Sequence, residues 1–216
     1  MENKGDLIKL FSCDHLARLD NIKQWLEYDR HQQESVSQHS YKVSVFTMCL
    51  LDYLWPGGDD NNTVAAFKYQ TLKMALMHDF DEAILRRDIT HELKYNAYNG
   101  SELRNVLDEF VAHQVADEFG DDSVVSKTLS KDAPYYDVAH AIIKVADWMA
   151  LLYFLKRELA MGNRSWPLNL LPYCKENYRK AVSTLQSTCV SADICEQERL
   201  MYVWVGAIND LQNDII

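Results

Sequence analysis

Residues 74–82 read MALMHDFDE, an apolar run in which His78 and Asp79 stand side by side and Glu82 follows shortly after. An imidazole nitrogen and a carboxylate oxygen are donors that divalent transition metals accept, and a further carboxylate nearby could move a proton. On a continuous helix His78 and Glu82, four residues apart, would lie about 40° apart around the axis and point the same way. Asp79 would lie about 100° round from His78, so both could reach an ion off their shared edge. Such an ion needs further ligands from other helices. Two candidates stand out: His39 in SVSQHSYKV, at the polar start of an apolar segment, and Asp147 in KVADWMALL, a carboxylate within the most apolar segment. A carboxylate in such surroundings is costly unless a cation, a hydrogen-bond network or a metal accompanies it. A single histidine on an apolar face is more often core than ligand, so the weight rests on the joint pattern of His, His-Asp and Asp.

The elements that must position these residues read as helices, because apolar spacing of three and four recurs almost throughout. A first helix is expected over 5–18 and a short second one near 20–27. Val43, Phe46, Leu50 and Leu54 share one face of a third, which Pro56-Gly57-Gly58 ends. The next opens near Asn62-Thr63 and is expected to run through His78 and Asp79. A helix over 101–119 stops at Gly120, and GDDSVVSKTLSKDAP reads as a loop or short turn. The stretch from Tyr135 to Gly162-Asn163 is a long, apolar, central helix. Pro167 and Pro172 mark a connector, with two more helices over 173–187 and 193–213. No run alternates cleanly as a strand would, and no linker forces a boundary. The expectation is one all-α domain over 1–216.

Composition narrows the partners. With 22 Lys plus Arg against 32 Asp plus Glu, the formal charge is −10, which disfavours gripping a nucleic-acid polymer through its phosphates. The cysteines Cys13, Cys49, Cys174, Cys189 and Cys195 form no CxxC pair, so neither a disulfide framework nor a cysteine zinc site is indicated. The longest apolar stretch, VFTMCLLDYLW, is broken by Asp52 and too short for a bilayer, and the N-terminus lacks an apolar signal core. A soluble, cytoplasmic protein is expected.

The order His39, His78-Asp79, Asp147 resembles the HD-domain metal-dependent phosphohydrolases, and more closely their YfbR-type 5'-deoxynucleotidase branch. The matching stretches are HLARL (15–19), Trp25, SVSQHS (35–40), ALMHDFDE (75–82), the later D-I-T and LKY, and KVADWMALLYFLKRELAMGN. The resemblance implies an HD-type helical bundle with His39, His78, Asp79 and Asp147 as ligands of one divalent ion (Co, Mn, Zn, Fe or Ni). It implies Glu82 as general acid or base, and Asp88 as a contact to the attacking water or the sugar hydroxyl. Trp25 would lie against the sugar and help select the 2'-deoxy form, and Lys94 would meet phosphate. It also implies assembly as a homodimer or higher homo-oligomer.

The chain departs from the family pattern around the phosphate and sugar. Gln24 stands where relatives carry an arginine before the tryptophan and cannot supply charge. The turn AILRR between Glu82 and Asp88 is one residue longer than usual, lacks the usual glycine, and brings Arg86 and Arg87, either of which could replace the lost cation. The leading expectation is hydrolysis of deoxynucleoside 5'-monophosphates to deoxynucleoside and phosphate. The alternatives are a dATP-like deoxynucleoside triphosphate triphosphohydrolase releasing tripolyphosphate, and a non-catalytic nucleotide-sensing module on the same scaffold.

Overall fold

A computed structural model describes residues 9, 13–26, 28–56, 62–88, 100–121, 123–130 and 135–191. Its described residues contain eight helices: α1 (His15–Asn21), α2 (Val36–Leu54), α3 (Asn62–Leu76), α4 (Phe80–Leu85), α5 (Gly100–Phe119), α6 (Val124–Leu129), α7 (Tyr136–Ala160) and α8 (Pro167–Ser191). The only pairing outside helices among them is an isolated antiparallel bridge between Lys23 and Ser35. The all-α expectation holds. The chain forms two compact units, one of Met1–Glu27, Gln33–Ser40 and Leu76–Ala133, the other of Tyr28–Gln32, Tyr41–Ala75 and Pro134–Ile216.

The first unit is built on a small apolar cluster. Leu19 of α1, Val36 of α2, Phe80 and Ala83 of α4, Val111, Val115 and Phe119 of α5, and Val125 of α6 bury together. Phe80 and Ala83, three apart, put one face of α4 into this cluster. Gly120 stops α5 with φ of 89°, a left-handed conformation that glycine reaches without a Cβ clash. The expected loop that follows contains α6, started by Ser123, whose side chain accepts from the Ser126 N–H.

The second unit has α7 packed on α8 at its core, with Ile142, Val145, Ala146, Leu152 and Leu155 of α7 and Cys174, Tyr178, Val182 and Leu185 of α8 all buried. By length and hydropathy α7 could cross a membrane, but 72% of that window is buried within the protein, so it is a core helix. Asn163 and the Trp166 indole both donate to the Asp29 carbonyl, at 2.7 and 2.8 Å, and Tyr28 stacks on Trp166 at 4.6 Å.

Four helix expectations need correction. The second helix expected near 20–27 is not formed by the described residues 22–26. After α1 ends at Asn21 the chain turns extended, and Gln24 N–H donates to Glu34 O while Val36 N–H donates to Ile22 O, each at 3.0 Å. The helix expected over 5–18 is interrupted by a bend at Cys13 and Asp14, after which α1 begins at His15; of the residues before the bend only Lys9 is described, and it is helical. Pro167 and Pro172 do not make a connector: Pro167 occupies the first position of α8, where its missing N–H is not needed, and Pro172 is carried inside that helix. The expected helix over 193–213 lies outside the described residues. The helix expected to run through His78 and Asp79 ends before them, at Leu76.

Burial of the α8 core has a consequence at high pH. Cys174 is fully buried, and burial pushes its thiol from 9.0 up to about 12; the Tyr178 hydroxyl rises from 10.0 to about 12 for the same reason. Both groups are neutral when protonated, so the native state keeps protons that the unfolded chain loses. Stability should be insensitive to these groups below about pH 9 and fall as pH climbs towards about 12. Melting temperatures followed across that alkaline range should decline for the wild type and less steeply for Cys174→Ala.

Candidate metal centre

The helix expected through His78 and Asp79 is broken there. α3 ends at Leu76, Met77–Asp79 form a turn closed by Phe80 N–H to Met77 O at 3.0 Å, and α4 begins at Phe80. His78 and Glu82 therefore do not share one helix face. Asp79 takes the N-cap position of α4, with φ of −111°, yet its side chain makes no capping bond. Aspartate is among the best N-caps, and a capping bond contributes about 1 kcal/mol. Here the carboxylate is turned to histidines instead. Its Oδ2 lies 3.0 Å from His78 Nε2 and 3.9 Å from His39 Nε2, and the two imidazole rings are 5.4 Å apart.

His39 is delivered by a reciprocal cap at the start of α2. Gln38 N–H donates to Ser35 Oγ, and Ser35 N–H donates to Gln38 Oε1 at 3.0 Å, the capping-box arrangement that fixes a first turn. His39 N–H then donates to Ser35 O at 3.0 Å, so the imidazole leaves a rigid first turn. Glu34, just before the cap, places Oε1 3.7 Å from His39 Nδ1. Sequence reading passed over this residue; its only signal was a carboxylate five positions before a candidate ligand.

The site is dry. Relative exposure is 3% for His39, 6% for Asp79, 2% for Glu34 and 0% for Glu82. Three buried carboxylates stand on these elements with the buried His39 and the partly exposed His78, and nitrogen and oxygen donors in this ratio suit a divalent cation. Glu82 lies in the first turn of α4, its N–H bonded to Asp79 O at 3.1 Å.

The remaining sequence-chosen residues fall in three places. Asp88 accepts from the Trp25 N–H at 3.3 Å, and Trp25 itself has φ of 62°, a strained conformation that the Asp88 bond and the neighbouring bridge help hold. Gln24 beside it is buried, with no hydrogen-bond partner on Oε1 among the described residues. Arg86 and Arg87 are exposed at the end of α4. Arg86 takes the left-handed position, φ 59°, where glycine is usual, and Arg87 N–H closes back on Glu82 O at 3.2 Å. Lys94 lies outside the described residues. Asp147 belongs to the second unit, on α7, where Lys144 Nζ pairs with its Oδ2 at 2.8 Å. In that unit His140 is exposed and stacks on Tyr136 at 5.6 Å.

A second convergence, of Cys13, His15 and Glu118, brings donor atoms within 4.8 Å of one another. Arg18 can only donate, and its Nη1 is 3.1 Å from His15 Nδ1. The His15 proton therefore sits on Nε2, which gives it to Glu118 at 2.6 Å. Both ring nitrogens are satisfied, and the group ties α1 to α5 without a metal.

The chain is similar to known proteins over most of its length. Residues 11–192 match the family described as 5'-deoxynucleotidase YfbR-like. A 5'-deoxynucleotidase HDDC2 from Dictyostelium discoideum is 29% identical over 148 residues, covering 64% of this chain and 75% of that one. Among solved structures, an HD-domain phosphohydrolase from Listeria innocua shares the fold at a TM-score of 0.58 with 19% identity, over 95% of this chain and 88% of the other. The protein is a nucleotide phosphohydrolase that belongs to the YfbR-like 5'-deoxynucleotidase family.

Proposed function

We propose that this enzyme removes the phosphate of deoxynucleoside 5'-monophosphates by metal-dependent hydrolysis, with His39, His78, Asp79 and Asp147 as the ligands. The observation that carries it is Asp79, a buried N-cap aspartate that forgoes its cap and faces two imidazole nitrogens at 3.0 and 3.9 Å. The nitrogen and oxygen donors suit Co²⁺, Mn²⁺, Zn²⁺, Fe²⁺ or Ni²⁺. Asp147 enters the set through the family pattern. When bound, such an ion polarises a phosphoryl oxygen and makes water acidic enough to be activated near neutral pH.

The chain's own residues supply the rest. Glu82, held out of water, takes the proton of the attacking water and returns it to the leaving 5'-oxygen. Asp88 is bonded to the backbone of Trp25, so one contact joins the acid that meets water or sugar to the ring that lies on the sugar. With Gln24 in place of a cation, Arg86, Arg87 and Lys94 are the groups left to neutralise phosphate. The same residues would have to serve a triphosphate tail, which makes product identity the deciding test. A panel of deoxy- and ribonucleotide mono- and triphosphates should yield inorganic phosphate from deoxynucleoside monophosphates. Tripolyphosphate, with monophosphates left intact, would replace this reading with a triphosphohydrolase. Cytoplasmic location, a single functional domain and a homodimer or higher oligomer complete the proposal; the mass in solution by light scattering checks the last.

A further inference from the structure

We propose that Glu34 is a positioning residue: it holds His39 with its proton on Nδ1 and its Nε2 lone pair directed to the metal, and thereby sets metal affinity. The inference rests on the ligand assignment above. It starts from burial, because a glutamate at 2% exposure is rare unless something fixes it. Glu34 Oε1 lies 3.7 Å from His39 Nδ1, while the opposite nitrogen, Nε2, faces Asp79 Oδ2 at 3.9 Å. The imidazole thus stands between two carboxylates, one on each nitrogen. At 3.7 Å the first contact is an ion-pair distance, so its effect is electrostatic: negative charge beside Nδ1 favours the proton there and enriches the lone pair on Nε2.

Two backbone devices keep this arrangement in register. Gln24 N–H donates to the Glu34 carbonyl, which pins residue 34 from one side. The reciprocal Ser35–Gln38 cap pins the next residue from the other. Residue 34 therefore connects the segment carrying Gln24 and Trp25 to the metal-facing histidine. Carboxylates that orient metal-bound histidines in this way are typically worth about 10–100-fold in metal affinity.

The test is calorimetric titration of Co²⁺ into metal-stripped wild type, Glu34→Gln and Glu34→Asp, with the melting temperature of each stripped protein. The glutamine variant should bind Co²⁺ about 10–100-fold more weakly, with the stripped protein melting as the wild type does. The aspartate variant should recover part of the affinity. Equal affinity in all three proteins overturns the proposal, and so does a loss of affinity matched by an equal loss of stability in the stripped protein. Should the glutamine variant not fold, the aspartate variant decides, since an affinity unchanged from wild type overturns the proposal as well. A wild type that binds no Co²⁺ would instead remove the ligand assignment on which the proposal stands.

Discussion

Asp79→Asn should lower phosphate release by about a thousandfold or more while leaving the metal-free protein at least as stable as the wild type. The two halves of this expectation have separate causes. A metal acting on the phosphoryl group supplies several kcal/mol of transition-state stabilisation, and each 1.36 kcal/mol is a tenfold change in rate. Asparagine keeps the shape of the side chain but gives the ion a neutral, weaker donor. Stability moves the other way, because Asp79 is 6% exposed and makes no capping bond. Removing its charge relieves a buried carboxylate, and asparagine is itself a good N-cap. Adding metal should raise the melting temperature of the wild type and not that of the variant. A variant that loses activity only because it unfolds would count against the assignment.

Glu158→Ala should cost about 3 kcal/mol or more of stability, the largest loss expected from a single polar substitution in the second unit. Glu158 is fully buried near the end of α7. Its two oxygens accept from the backbone N–H of His31 and of Gln32, each at 2.9 Å, and from the Asn163 side-chain amide at 2.6 Å. Alanine leaves these donors in a dry pocket, each at about 1–3 kcal/mol when unsatisfied. A fall in melting temperature of about 6–12 °C follows for a chain of this size. Glu158→Gln should lose less, because an amide keeps one acceptor oxygen. Thermal denaturation of the two variants checks the order, and an alanine variant as stable as the wild type would show that the clamp contributes little.

Much of this molecule was legible before its coordinates. The end of α2 near Pro56, the stop of α5 at Gly120 and the extent of α7 follow from local chemistry: a missing N–H, a left-handed turn, and a long apolar face. The His78-Asp79 pair and His39 were legible as chemistry but not as geometry. Helical periodicity carries smoothly from Met74 to Glu82, so nothing in it announces the turn at Met77–Asp79 that lets Asp79 face both rings. Residues 22–25 failed for a related reason, since their partners at 34–36 lie some ten residues on and pair by backbone bonds that side-chain patterns do not encode. Pro172 misled because proline is a local signal, and the packing of α8 against α7 overrides it. Glu34 and Glu158 are the instructive omissions. Each is a glutamate among polar neighbours, where sequence expects solvent, and each is buried by partners distant along the chain or across a cap.

The central claim is tested most directly by measuring inorganic phosphate released from deoxynucleoside 5'-monophosphates by the metal-stripped protein, before and after adding Co²⁺ or Mn²⁺. The account predicts no release from the stripped wild type, restoration on adding metal, and no restoration in Asp79→Asn. Phosphate release that persists without metal, or that never appears with any divalent ion, would contradict it.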